Sequence, residues 1–216
     1  MFDFIQARRE MVDCQIRTAD VTNYEILKAL SAVEREKFVP DEASTIAYGG
    51  TNIHLGKDRY LIEPRTFAKM LELLNVKSND LILDIGCGFG YSTAIISKMA
   101  ELVIALEDDF FFNRAQKILS ETAIDNTVIY EGKLSEGIDY NEKVDALIIQ
   151  GGIEQIPSKI KDQVKDGGRV VAIFVDGYKG ECRLGIKNND EILWNYGFNA
   201  HAPLLKDFCI EKKFIF

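Results

Sequence analysis

The chain is poor in the residues that mark several large protein classes. Cys14, Cys87, Cys182 and Cys209 are the only cysteines, no two stand in a C-x-x-C pair, and only His54 and His201 are there to assist them. A disulfide framework or structural zinc site is not expected, and a reducing cytoplasm is the expected setting. No apolar run approaches the roughly 18 residues of a membrane helix. The opening MFDFIQARRE reaches charge too early for a signal-peptide core. Positive charge is also short: 26 Lys and Arg against 34 Asp and Glu leave a net charge of −8. A general nucleic-acid binder needs a basic face to neutralise phosphates, so no nucleic-acid partner is expected.

What is present is the composition of a globular protein, 47% hydrophobic and 28% charged over 216 residues, enough for one domain with a real core. The expectation is a single domain over 1–216 with two regimes: a helical, substrate-side region over 1–75 and a ligand-binding core over 76–216. In the first, Thr22 and Glu25 stand at capping-box spacing and mark a helix start. The segment KFVPDEASTIAYGGTNIHLGKDRY, containing Pro40, Gly49, Gly50 and Gly56, has no sustained period and reads as loop with a short extended piece. Pro64 suits a first helical turn, and Phe67, Met70, Leu71 and Leu74 follow on one face.

From residue 80 short apolar runs alternate with helical stretches. Strands are expected at Leu81–Ile85, Leu102–Leu106, Thr127–Tyr130, Val144–Ile149 and Arg169–Val175; helices at Tyr91–Ala100, Phe110–Ala123 and Pro157–Val164. This is the pattern of an α/β fold with a mostly parallel sheet covered on both faces. The tail, with ECRLGIK, EILWNYG and DFCIEKKFIF, reads as antiparallel strands completing it.

The chemistry concentrates in LDIGCGFGYS. Gly86, Gly88 and Gly90 follow a strand directly, permit positive φ and leave room for a ligand beside the backbone. The helix expected from Tyr91 aims free N–H groups at the same place, beyond the carboxyl ends of the strands. Glu107, 21 residues beyond Gly86, ends the next strand. A carboxylate only accepts hydrogen bonds and so suits a ribose diol; Asp84, before the glycines, suits a cationic amino group. The pair fits S-adenosylmethionine, with a nicotinamide dinucleotide as the competing ligand.

MVDCQIR, ILKALSAVEREKFVP, AYGG, LDIGCGFGYS, ALE, VDALIIQGGIEQIP and VKDGGRVV together resemble the protein-L-isoaspartate O-methyltransferase family nearly end to end. The resemblance implies a Rossmann-like methyltransferase fold, S-adenosyl-L-methionine as cofactor, and methylation of isoaspartyl carboxylates in damaged proteins. The cofactor-binding candidates are Asp84, Gly86, Cys87, Gly88, Gly90, Tyr91, Glu107, Asp108, Lys133, Leu134 and Gln150.

Three departures bear on the acceptor. Where the family usually carries T-I-S-Q-P, this chain reads Tyr60-Leu61-Ile62-Glu63-Pro64. The catalytic serine therefore falls on Ile62, which has no hydroxyl to donate, and the glutamine falls on Glu63. Gly132-Lys133 replaces the usual G-D pair. The catalytic candidates are Glu63 as base or electrostatic anchor, Ile62 at the serine position, and Arg59 as a replacement donor. Weak or absent isoaspartyl transfer is expected. The alternatives are a methyltransferase with another acceptor, or a cofactor-binding relative that has lost catalysis and serves as sensor or scaffold. A protein or peptide substrate is expected. Residues 41–63 are a candidate lid, Phe110–Phe112 either pack in the core or cover an adenine, His54 is a candidate base, and Gln150–Gly152 form either a lip over the ligands or a plain turn.

Overall fold

Seven strands form the central sheet of the computed structural model, which describes residues 2–122 and 124–210. In chain order the strands are β1 (Ile53–Gly56), β2 (Arg59–Leu61), β3 (Leu81–Ile85), β4 (Leu102–Glu107), β5 (Thr127–Glu131), β6 (Val144–Ile153), β7 (Val164–Asp176), β8 (Lys179–Asn188) and β9 (Glu191–Asn199). The central sheet runs β5-β4-β3-β6-β7-β8-β9, while β1 and β2 form a separate antiparallel hairpin. Pairings among β3 to β7 are parallel; β7–β8 and β8–β9 are antiparallel. The order reverses at β3, whose neighbours β4 and β6 lie on opposite sides, so the sheet's switch point is at the glycine loop.

The strands are apolar because both faces are covered. Along β3, Ile82 belongs to one cluster and Leu83 and Ile85 to the other; along β6, Ala146 and Ile148 alternate with Leu147 and Ile149. The first cluster gathers the N-terminal region onto the sheet, from Met11 and Ile16 through Leu30, Phe38, Phe67 and Leu71 to Ala202. Helix α1 (Phe4–Glu10) leads into a π-helical turn over Met11–Ile16, whose inner residues enter this core. Helix α3 (Pro64–Leu74) buries Phe67, Met70, Leu71 and Leu74, the face expected from the sequence.

Several boundaries differ for identifiable reasons. Helix α2 is Tyr24–Ala32, and its cap is Asn23, whose Oδ1 accepts from the N–H groups of Glu25 and Ile26. Asparagine caps as well as threonine does and sits one residue nearer the helix, so no capping box with Thr22 forms. Helix α4 stops at Ile96 and continues as turns. Helix α5 covers Asp109–Glu121, capped by Asp108, and α6 shrinks to Ser158–Asp162. β6 does not end at Ile149 but runs through Gln150, Gly151 and Gly152 to Ile153, bulging against β7. Leu205 packs where a Gly151 side chain would stand. Gly152 donates to the Pro203 carbonyl at 2.8 Å and accepts from Leu205 N–H at 2.8 Å. Those residues are buried strand, neither lip nor turn. Of the strand expected in DFCIEKKFIF, the first four residues are described and are not strand, with a 3₁₀ turn at Lys206–Phe208, and the last six, 211–216, lie outside the described ones.

Candidate active site at the glycine loop

The loop between β3 and α4 (Tyr91–Ile96) needs its glycines: Gly86, Gly88 and Gly90 have φ of 78°, 62° and 95°, where a β-carbon is strained. Gly86 N–H donates to the Leu106 carbonyl at 2.9 Å, tying the loop to β4. Asp84 is fully buried and braces the loop from beneath. Its carboxylate accepts from Ser92 Oγ at 2.6 Å, Thr93 Oγ1 at 2.7 Å and Gln150 Nε2 at 2.9 Å. Burial raises the Asp84 pKa, and these three donors oppose the shift. With its partners inside the chain, Asp84 holds loop, helix start and β6 together rather than presenting a free carboxylate to an amino group. Ser92 and Thr93 were not singled out from sequence; two hydroxyl residues opening the helix after a buried acid are the signal.

Glu107 ends β4 beside the loop and is also fully buried. Gly88 N–H donates to Oε1 at 2.7 Å and Asp108 N–H to Oε2 at 2.9 Å. The remaining partner is Arg59 from β2, 48 residues earlier, which donates from Nη2 to Oε1 and from Nη1 to Oε2, the latter at 3.1 Å. Arg59 is 7% exposed, stacks over Phe111 with its guanidinium carbon 5.0 Å from the ring centroid, and has Asp108 Oδ2 3.6 Å from Nη1. Burial raises the Glu107 pKa first, and Arg59 acts against that.

The remaining candidates divide clearly. Leu134 lies beside Gly86, and Asp108 caps α5 next to Arg59. Cys87 is buried between the glycines, and burial pushes its thiol pKa well up, so it is no nucleophile. Lys133 points to solvent. The Tyr91 side chain turns away from the loop into the N-terminal core, against Phe38 and Phe67, with the Arg35 guanidinium 4.7 Å from its ring centroid. Ile62, at the serine position, is 2% exposed within the same core. Its carbonyl accepts from Arg35 Nη2 at 2.7 Å. Glu63 holds the N-cap position of α3 without a side-chain bond to its backbone; its carboxylate accepts from Thr66 Oγ1 at 2.5 Å, and its own N–H donates to Asn52 Oδ1 at 2.9 Å. His54 is exposed on the outer face of the hairpin, its ring centroid 5.0 Å from that of Tyr60. The phenylalanine trio splits: Phe111 is core and Phe110 is half exposed. Ile62 and Glu63 are thus built into the helix start, while Arg59 is built into the loop.

The family model for protein-L-isoaspartate(D-aspartate) O-methyltransferase matches residues 6–197. The chain belongs to the protein-L-isoaspartate O-methyltransferase family. The family's cofactor is S-adenosylmethionine, and family and fold together make the chain a methyltransferase. The protein-L-isoaspartate O-methyltransferase of Syntrophus aciditrophicus is 33% identical over 173 residues, 79% of each chain. The Shewanella sediminis protein-L-isoaspartate O-methyltransferase 2 is 31% identical over 204 residues, 93% of this chain and 84% of that one. A solved protein-L-isoaspartate O-methyltransferase superposes with a TM-score of 0.80 at 20% identity, over 94% of this chain and 67% of that one. A Plasmodium falciparum structure of the same description, in complex with S-adenosyl-L-homocysteine, gives 0.77 at 18%, over 95% and 99%. These two establish the Rossmann-like methyltransferase fold. Among the described residues no helix is long and apolar enough to cross a membrane.

The loop of this methyltransferase has the right residue types for its cofactor, yet the space beside Glu107 is taken by Arg59. The adjoining cavity, lined by Lys57, Arg59, Asp108, Leu134 and Leu205 among others, measures about 160 Å³. Ordinary ligand pockets span roughly 300–1,000 Å³. The residues fit S-adenosylmethionine only with Arg59 moved.

Proposed function

We propose that this methyltransferase carries out the reaction named for its relatives, methyl transfer from S-adenosylmethionine to isoaspartyl carboxylates of proteins or peptides, and that 1–216 acts as one methyltransferase domain. The observation that carries the cofactor half is the positive-φ glycine loop at the sheet's switch point with a buried acid, Glu107, ending the next strand. Glu107 would accept from the ribose hydroxyls, the Gly86–Gly90 backbone would line the cofactor, and Leu134 would flank it. When bound, the cofactor supplies an electrophilic methyl group on a sulfonium. The chain's part is to align an acceptor oxygen in line with it and keep water out, and positioning of that kind supplies much of the rate. A carboxylate acceptor is already ionised, so no base is needed, which agrees with Glu63 being engaged by Thr66.

Ile62 favours a second reading, transfer to another acceptor, because the family's serine position is an apolar core position here. Tritiated methyl transfer from S-adenosylmethionine, assayed in parallel on an isoaspartyl peptide and on a cell extract, separates the two. Labelling of the peptide supports the family reaction. Labelling of the extract alone supports another acceptor, and labelling of neither contradicts a methyltransferase function for this chain. The excess of acidic residues supports a reading without nucleic-acid partners, and four free thiols suit a reducing cytoplasm.

A further inference from the structure

The hairpin β1–β2 lies across the glycine loop with Ile53, Leu55, Arg59 and Leu61 facing inward. A β-carbon on Gly88 would fall 2.5 Å from Leu55 Cδ1, and one on Gly86 would fall 3.0 Å from Arg59 Nη2. The glycines therefore do allow a close approach, and the groups that approach belong to the chain itself. A carboxylate has about four lone-pair directions. On Glu107 four donors are already present: two N–H groups of Arg59 and the backbone N–H groups of Gly88 and Asp108. A ribose diol finds no acceptor there until Arg59 leaves.

The hairpin is firmly rooted and lightly held at its tip. At the root, Arg35 is fully buried and donates to the carbonyls of Ala47 and Ile62, both at 2.7 Å, and Asn52 accepts from Glu63 N–H. At the tip, Gly56, Lys57 and Asp58 all have positive φ, which for the two non-glycines is uncommon backbone. The tip is held by an exposed Asp58–Lys206 pair and by Lys57 lying 4.2 Å from the Phe110 ring centroid. Exposed pairs of this kind contribute little. Asp108, 3.6 Å from Arg59 and partly exposed, is a carboxylate that can keep company with the guanidinium as it moves outward.

We propose that this hairpin is a plug of the cofactor site: Arg59 competes with the ribose diol for Glu107, and S-adenosylmethionine binds when the hairpin withdraws from the loop. The proposal rests on the cofactor reading above. Arg59 is in this view an affinity-setting residue rather than a catalytic donor.

Calorimetric titration with S-adenosyl-L-homocysteine tests it on the native protein, Arg59→Met and Leu55→Ala. If the competent state is about a tenth of the population, Arg59→Met binds about tenfold tighter than wild type. Leu55→Ala, which keeps the ion pair intact, also binds tighter, and added ligand speeds hydrogen exchange at 53–61 in the wild type. Equal or weaker binding by both variants overturns the plug and leaves the cofactor reading standing. No binding by any of the three overturns both.

Discussion

Replacing Glu107 by glutamine keeps the shape of the side chain and removes one charge from a buried carboxylate that accepts from four donors. Arg59, 7% exposed, would keep a positive charge with Asp108, at 3.6 Å, as its remaining acidic partner among the described residues. The glutamine amide would also turn an N–H₂ toward donors from Arg59, Gly88 or Asp108 that now meet an acceptor. Removing one partner of a buried pair costs about 3–5 kcal/mol, and a hydrogen bond to a charged group contributes about 1.5–3 kcal/mol. The tip of the hairpin can swing Arg59 into water, and that relief caps the loss. A destabilisation of about 2–4 kcal/mol is expected, or roughly 4–16 °C in Tm for a chain of this size. Urea denaturation of the single variants and of the double variant Arg59→Met/Glu107→Gln measures it. The double variant, with no charge left at either position, should recover most of the loss, giving a coupling of at least about 1.5 kcal/mol between residues in direct contact. A loss below about 0.5 kcal/mol, or additive effects within that margin, would refute the reasoning.

Further outcomes follow from the same geometry. Restoring the family serine by Ile62→Ser should cost about 2–5 kcal/mol for a fully buried side chain and leave isoaspartyl turnover no higher, because that position faces the core; a gain in turnover would contradict the placement. Glu63→Gln should leave the pH profile of methyl transfer unchanged and reduce stability by no more than about 1 kcal/mol, the scale of a helix-start interaction. A lost acid limb would instead show Glu63 to be the base. Asp84 has a folded pKa raised above its ordinary 3.8, chiefly by burial. The folded state thus holds that proton more tightly, and the associated stability is complete below about 3.8 and is lost as pH rises through the folded value. Measured against Asp84→Asn, wild-type stability should fall as pH rises from about 4, and parallel curves would remove Asp84 from the pH response.

The parts of the molecule legible in the sequence are those where neighbours in the chain are neighbours in space. Gly86, Gly88, Gly90 and the end of β4 at Glu107 carry their chemistry within one βαβ unit, so strand, loop and acid could be read together. The apolar face of α3 was legible for the same reason. The pairing of Arg59, a candidate donor, with Glu107 was not, because the two lie 48 residues apart and the hairpin sits in a stretch without period. A faint signal was present. Ile53 and Leu55 alternate with outward residues, as do Arg59 and Leu61, so an arginine occupies an inward position of a short strand and demands a buried acid. The directions of the Tyr91 and Ile62 side chains were not legible either, because adjacency to a motif says nothing about where a side chain points. Both point into the core that Arg35 organises from another segment.

The most direct measurement is a crystal structure of the native protein grown with saturating S-adenosyl-L-homocysteine. The account predicts the ribose hydroxyls on Glu107, the glycine loop against the ligand, and Arg59 displaced outward toward Asp108 with its hairpin. Ligand bound elsewhere, or bound on the loop with both Arg59–Glu107 hydrogen bonds intact, would contradict it.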